Sequence, residues 1–524
     1  LLVYLSPVVG IDGTSAYIDV AVAAIAFSVF YWVQIWDRQR EGRLLIVIGL
    51  LAGYCYAAKY TAFVMLFYAA GFVIWRTRSI GPAVVVAACS LVMAAPWIVK
   101  DWIYVGNPVA PFANRIFENP NIHVSFERNW MAFLRTYGLK NLWKLPFEVT
   151  VHGETTGGLL GPVFLAAPLA LLALRSRNGR RLLVPCALIL ATYVGNVGTR
   201  FLIPSLPFLA LAMALALEPV APLLILLVAL HAAASWPASL HRYTQAWALQ
   251  GIPYKAALRI IPEERYLENF VAYRWARMIE DHVPPGARVL VRTEVATAYT
   301  SRDVLTGYEG AFNEEMQDLL DVGWDSSSQP RKLWTCSFPE RRVRRLRVVQ
   351  TGAAKIPEEQ WDVHELRFFH AGVELPRVPE WRLRGHPNPW GVQMAFDNSE
   401  ATRWRSWETL RPGMNIDVDF GSEQPVDQVR VELSDIDWNV RMRVEAMDAN
   451  GTWAAMPARE DLRQMHYAGS VRRAAAYELH SHGVNYILLK DTDWGAKDIA
   501  DDPALWGMTR LVYATGASLY RVNP

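Results

Sequence analysis

Three charged residues stand at the ends of hydrophobic stretches in the first half of this chain. Asp19 opens one apolar segment. Lys59 and Tyr60 mark the tip of a helical hairpin, and Arg200 opens another segment in Thr199-Arg-Phe-Leu-Ile-Pro-Ser-Leu-Pro207. Charge beside a bilayer is costly, so such residues are candidates for function. One acid with two cations suits chemistry on a phosphate held at a membrane surface. The cations would offset the phosphate's charge, and the acid would take or position a proton. Each cation taken alone reads equally well as a side chain reaching for the interface. The shared site follows from all three lying on one side of the membrane.

The elements that must position them are apolar runs at 15–36, 43–58, 61–76, 80–99, 158–174, 182–198, 201–217 and 220–236. A full span needs about 20 residues, so 43–58 and 61–76 are read as tilted or packed inside a bundle. Arg38, Arg40 and Arg43 lie in one loop, Arg76 and Arg78 in a second, and Arg175, Arg177, Arg180 and Arg181 in a third. All three fall on one side, which the positive-inside rule makes cytoplasmic. Lys59, Arg200, the 100–157 loop and the C-terminal half then share the opposite side.

The 524 residues are 52% hydrophobic with a net charge of +2. No Lys/Arg run resembles a nucleic-acid footprint, so nucleic acid is not an expected partner. Cys55, Cys89, Cys186 and Cys336 are scattered and give no zinc spacing. No metal ligands are assigned, and the residues name neither a cofactor nor a divalent metal. The chain begins at Leu1 inside an apolar run, without Met. It reads as a fragment that has lost its N-terminus.

The 100–157 loop offers Lys100, Asp101, His152 and Glu154 as a candidate acceptor or substrate loop. Its Trp and Tyr residues read first as interfacial anchors. Residues 237–284 read as a helical connector. Beyond it, Arg288-Val-Leu-Val and Val484-Asn-Tyr-Ile-Leu-Leu read as buried strands among helices, which argues for a small α/β domain. Asn415-Ile-Asp-Val-Asp-Phe and Gln428-Val-Arg-Val-Glu-Leu alternate with period two, which argues for a β-sandwich.

Gly49-Leu-Leu-Ala-Gly-Tyr-Cys-Tyr-Ala-Ala-Lys-Tyr-Thr61, Gly106-Asn-Pro-Val-Ala-Pro-Phe112 and Arg200-Phe-Leu-Ile-Pro-Ser-Leu-Pro207 resemble motifs of GT-C membrane glycosyltransferases. Ala16-Tyr-Ile-Asp19 resembles the second acidic loop of that superfamily. The resemblance is to the bacterial protein mannosyltransferase-like and aminoarabinose transferase-like branch, and covers roughly residues 1–236. It implies transfer of a sugar from a polyprenyl-phosphate-sugar donor to a glycan, lipid or protein acceptor outside the cytoplasmic membrane. Asp19 would be catalytic, and Lys59, Tyr60 and Arg200 would bind the donor phosphate. The resemblance also implies a main catalytic acid in an earlier loop, upstream of Leu1. The fragment is therefore expected to be inactive. Asp12 is a nearby alternative, although Gly10-Ile-Asp-Gly13 reads equally well as a turn.

Ala395-Phe-Asp-Asn398, Thr402-Arg-Trp404 and Gly451-Thr-Trp453 resemble a discoidin-like (coagulation-factor type C) module of the galactose-binding-like jelly-roll class. Such a module implies candidate sugar contacts at Trp438 and Asn439. The expected fold is a multi-pass α-helical membrane bundle (1–236), the connector (237–284), and an extracytoplasmic, periplasmic α/β domain (285–374 and 462–524). A β-sandwich (375–461) interrupts that domain. The competing reading is a non-catalytic, membrane-anchored glycan-binding protein of the cell envelope.

Overall fold

The computed structural model describes residues 1–114, 116–244, 254–306, 310–435, 439–467 and 470–523. They form two compact units. Leu1–Phe117 with Glu127–Pro253 make the first, and Glu118–Phe126 with Tyr254–Pro524 the second.

In the first unit, helices follow the apolar runs. Among the described residues four stretches are long and apolar enough to cross a membrane: Asp19–Gln39, Tyr60–Thr77, Gly81–Val105 and Thr199–Ser235. Gly42–Ala58 and Pro162–Arg175 are shorter apolar helices. Helix Asp19–Gln39 buries Val22, Ala26, Val29, Val33 and Trp36, spaced three and four apart along one face. Helices Gly42–Ala58 and Gly81–Val105 meet through Gly49 and Gly53. A Cβ on Gly53 would overlap the Ser90 backbone, and one on Gly49 would stand 2.6 Å from the Val86 carbonyl oxygen. Ser90 Oγ donates to the Gly49 carbonyl at 2.8 Å. Small residues four apart are what let two helix backbones come this close.

The far end of helix Asp19–Gln39 gathers the arginines. Asp37 accepts hydrogen bonds from Arg40 at 2.8 Å, Arg76 at 2.6 Å and Arg181 at 2.5 Å. One arginine from each of the three basic segments, now at the ends of helices Asp19–Gln39, Val64–Thr77 and Arg177–Tyr193, therefore converges on a single buried carboxylate. At 1.5 Å rise per residue this cluster lies roughly 27 Å along the helix from Asp19, about the thickness of a bilayer's hydrocarbon core.

The second unit is rich in sheet. One five-stranded sheet has the order Met508–Ala514, Ala517–Val522, Val484–Lys490, Arg288–Val291, Asp303–Thr306. Arg288–Val291 runs parallel to both of its neighbours. Its alternation sorts the core. Leu290, Ile487 and Leu489 pack with Met316, Leu319, Ala475 and Leu479 from helices Ala311–Ser328 and Ser470–Ser481. Val289, Val291 and Leu488 pack with Trp275, Ala276 and Ile279 from helix Val271–His282. A period of two on the strands thus places helices on both faces.

The second sheet has eight strands, built around Arg331–Gln350 and Asn415–Leu433, which pair antiparallel. Their register shifts twice, between Ser337 and Arg341 and between Val343 and Arg345. Such irregularities bend strands. Both halves of each long strand feed one buried core with Trp361, Val363 and Trp404. This moves the expected sandwich boundary. The sheet begins at Arg331 rather than 375, and its last strand, Arg459–Met465, runs past 461. The reason is pairing distance. Arg331–Gln350 carries six arginines and reads as mixed and polar until its partners, far along the chain, cover one face. Among the described residues of the expected connector are helices Pro237–Tyr243, Tyr254–Ala257, Glu263–Leu267 and Val271–His282.

Candidate functional site

Asp19 is the first residue of its helix, and Lys59 ends helix Gly42–Ala58 in an extended conformation. The break at Lys59 turns its side chain back toward Asp19, and the two form an ion pair with side-chain exposures of 16% for Lys59 and 2% for Asp19. A pair this deep is stable only because each charge answers the other.

Arg200 enters the same place from Thr199–Ser205. Its guanidinium lies 3.9 Å from the Tyr17 ring centroid and 5.0 Å from that of Phe201. Lys59 Nζ sits 4.0 Å from the same Phe201 ring. Phe201 is thus a shared aromatic floor under two cations. Tyr137 is a charge neighbour of Arg200, Tyr17 and Asp19, and burial raises its hydroxyl pKa. The short 3-10 helix Thr199–Ser205 that holds Arg200 is fixed at its start by a hydrogen bond between the Thr156 and Thr199 hydroxyls at 2.8 Å and by the Thr199 N–H donating to the Thr156 carbonyl at 3.0 Å.

Asp12 belongs to this cluster. The segment Gly10–Gly13 is not a free turn, because Asp12 ends a short helix, Pro7–Asp12. Its carboxylate is 1% exposed and Oδ2 accepts the Val20 N–H at 2.8 Å. Its charge neighbours are Asp19 and Lys59, and burial foremost, then Asp19, raises its pKa.

The other expected residues divide. Tyr60 follows Lys59, and its hydroxyl lies 3.0 Å from Asp101 Oδ2 and 2.7 Å from the Ala110 carbonyl oxygen. It ties Asp101 and the 107–112 loop to the hairpin tip. Lys100 is exposed and rests over Trp97 at 5.2 Å. His152 and Glu154 are exposed, and His152 stands 4.0 Å from Glu148. No described contact joins them to Asp19, Lys59 or Arg200. Asn439 donates to Glu359 Oε1 at 2.5 Å, while Trp438 lies outside the described residues. Among the described residues no group of three or more His, Cys, Asp or Glu could hold a metal ion.

The second unit has a buried charge network that the sequence did not disclose. Arg403 clamps Asp318 through Nε at 2.9 Å and Nη2 at 2.6 Å, and reaches Asp362 at 2.9 Å and Ser434 at 3.0 Å. Asp318 lies on helix Ala311–Ser328 and Asp362 on strand Gln360–Val363, so one guanidinium locks the helical layer onto the sandwich. Trp404 beside it is 1% exposed and Trp361 is 0% exposed. These rings are core.

No protein-family model matches this sequence, and neither a curated protein nor a solved structure matches it.

Proposed function

We propose that this protein is an integral-membrane glycosyltransferase. It moves a sugar from a polyprenyl-phosphate-sugar donor to an acceptor outside the cytoplasmic membrane, with the C-terminal half on that outer side. The observation that carries the reading is the convergence of Asp19, Lys59 and Arg200 around Phe201, at the opposite end of helix Asp19–Gln39 from the arginine cluster. Two cations at the ends of apolar helices suit a lipid-phosphate leaving group. Arg presents a planar fork and Lys a point charge.

In the transfer step the acceptor oxygen attacks the anomeric carbon as the bond from that carbon to the phosphate oxygen breaks. The electron pair stays on the phosphate, whose growing charge Lys59 and Arg200 offset. The hydroxyl proton passes to a carboxylate of the site. A single displacement inverts the anomeric centre.

The test uses the full-length protein in membranes, with undecaprenyl-phosphate-linked mannose, glucose and aminoarabinose as donors. Arg200→Ala is expected to lower turnover by roughly 100-fold or more with the melting temperature retained, and Lys59→Ala to lower turnover at least as far and to melt lower, because it leaves Asp19 buried without its cation. Normal transfer by both variants would sink the site assignment. Glycan binding without transfer from any donor would favour the anchored glycan-binding protein.

A further inference from the structure

We propose that residues 128–147 form a membrane-docking surface that selects anionic phospholipid headgroups. The inference goes beyond the transferase reading and needs only the first unit seated in a bilayer.

The segment lies between the apolar helices Gly81–Val105 and Pro162–Arg175, and it begins in helix Phe126–Thr136. Its charge is one-sided. From 128 to 147 there is no Asp, Glu or His, but there are Arg128, Arg135, Lys140 and Lys144. The flanking acids are already engaged. Glu127 accepts the backbone N–H groups of Ala113 at 3.1 Å and Asn114 at 3.2 Å. Glu148 is buried and accepts the Thr155 N–H. Arg135, Lys140 and Lys144 are exposed, and among the described residues none of the three is in an ion pair.

The same segment exposes apolar side chains. Trp143 is 90% exposed, and Trp130, Phe133, Leu142 and Phe147 are exposed as well. Trp130, Phe133 and Tyr137 follow one another with ring centroids 5.9 and 5.1 Å apart. This strip ends beside the candidate site. The Val197 N–H donates to the Leu134 carbonyl at 2.9 Å. Tyr137 fills the space that Gly198 leaves free, because a Cβ on Gly198 would stand 2.5 Å from the Tyr137 hydroxyl oxygen. Arg200 is two residues further on. The segment is therefore tied to the end of the helices that carries Arg200, away from the arginine cluster on Asp37.

Aromatic rings by themselves settle at any bilayer interface. Cations interleaved with them add a selection. Such a surface gains from burying its rings at the headgroup boundary and from negative lipid around its charges. The positive-inside bias does not account for these cations, since it places the arginines at the opposite end, around Asp37. The matching partner carries spread negative charge beside apolar chains, and an anionic phospholipid surface has both. Docked in this way, the segment sets the height of the Val197–Arg200 turn against the headgroups.

The test places the full-length protein in nanodiscs of phosphatidylcholine, with or without phosphatidylglycerol. A spin label is attached at Leu142→Cys in a background with the native cysteines replaced. With phosphatidylglycerol the label is expected to be reached by oxygen rather than by a water-soluble nickel chelate, and with phosphatidylcholine alone the reverse. Added salt is expected to return the label to water, because it screens the attraction. In Lys140→Gln/Lys144→Gln the ratio of lipid-facing to water-facing label in phosphatidylglycerol discs is expected to fall about 25-fold, at about fivefold per charge. Both lysines are exposed and outside any ion pair, so this variant is expected to melt with its parent. A label equally deep in both lipids, or in water in both, would overturn the proposal. So would a label that leaves water in phosphatidylcholine discs on addition of soluble oligomannose, which would make the surface a glycan platform.

Discussion

Glu365 shows how one residue links burial to pH. It is 4% exposed, its Oε1 has no hydrogen-bond partner, and Arg367 is 3.7 Å away. Burial foremost pushes its carboxyl up from 4.5 to about 7. The unfolded chain therefore releases this proton at a lower pH than the folded one. The stability associated with protonated Glu365 is complete below about 4.5 and is lost as pH rises to about 7. Glu365→Gln is expected to flatten this part of the pH dependence. At pH 8 the gain over the wild type should be on the order of 3 kcal/mol at most. Thermal unfolding of the full-length protein between pH 4.5 and 8 measures it, and an unchanged slope would refute it. Similar logic places Asp19 and Lys59. Each is tolerated because the other is there, so their meaning lies in the pair.

At the scale of elements, the helices owe their positions to small residues as much as to apolar ones. Gly49 and Gly53 face Val86, Cys89 and Ser90 with no room for a Cβ. This contact fixes helix Gly42–Ala58 against Gly81–Val105, and with it the angle at which Lys59 leaves the hairpin. Gly53→Val must push the Ser90 backbone away, at a cost of about 1–3 kcal/mol. The variant is expected to melt several degrees lower and to weaken undecaprenyl-phosphate binding. Wild-type melting and binding would show that the contact is not needed. In the second unit the corresponding device is electrostatic. Arg403 joins helix Ala311–Ser328 to the sandwich through Asp318 and Asp362. A buried network of this type favours one arrangement, because any other leaves charges unpaired.

At the scale of the whole molecule, sidedness is the decisive property. Arg40 caps helix Asp19–Gln39, Arg76 lies in the last turn of helix Val64–Thr77 and Arg181 near the start of helix Arg177–Tyr193, and all three meet on Asp37, so these helix ends share one end of the first unit. A single cysteine placed at Ser79 or Ser176, in a background with the native cysteines replaced, is expected to resist a membrane-impermeant maleimide on intact spheroplasts. A cysteine at Ser481 is expected to react. Labelling of all three, or of the loop sites alone, would invert the proposed orientation.

Much of this was legible in the sequence because it is local. Apolar runs gave the helices, since backbone hydrogen bonding and burial act within each run. Short apolar runs at 288–291 and 484–489, and strand alternation at 415–420 and 428–433, gave the sheet-forming segments. The charges at Asp19, Lys59 and Arg200 were visible because they interrupt or border those runs. What only the tertiary structure decided was convergence. Phe201 was one apolar residue among many until it came to lie under both cations. Asp12 read equally well as a turn until the fold buried it beside Asp19 and Lys59. Arg403 and Asp318 are separated by 85 residues, and Arg181 and Asp37 by 144. Arg331–Gln350 pairs with Asn415–Leu433, about 80 residues further along the chain. Local physics sets which segments become helix or strand. The desolvation of a charge, and the partner that makes it tolerable, depend on groups that only the folded chain brings together.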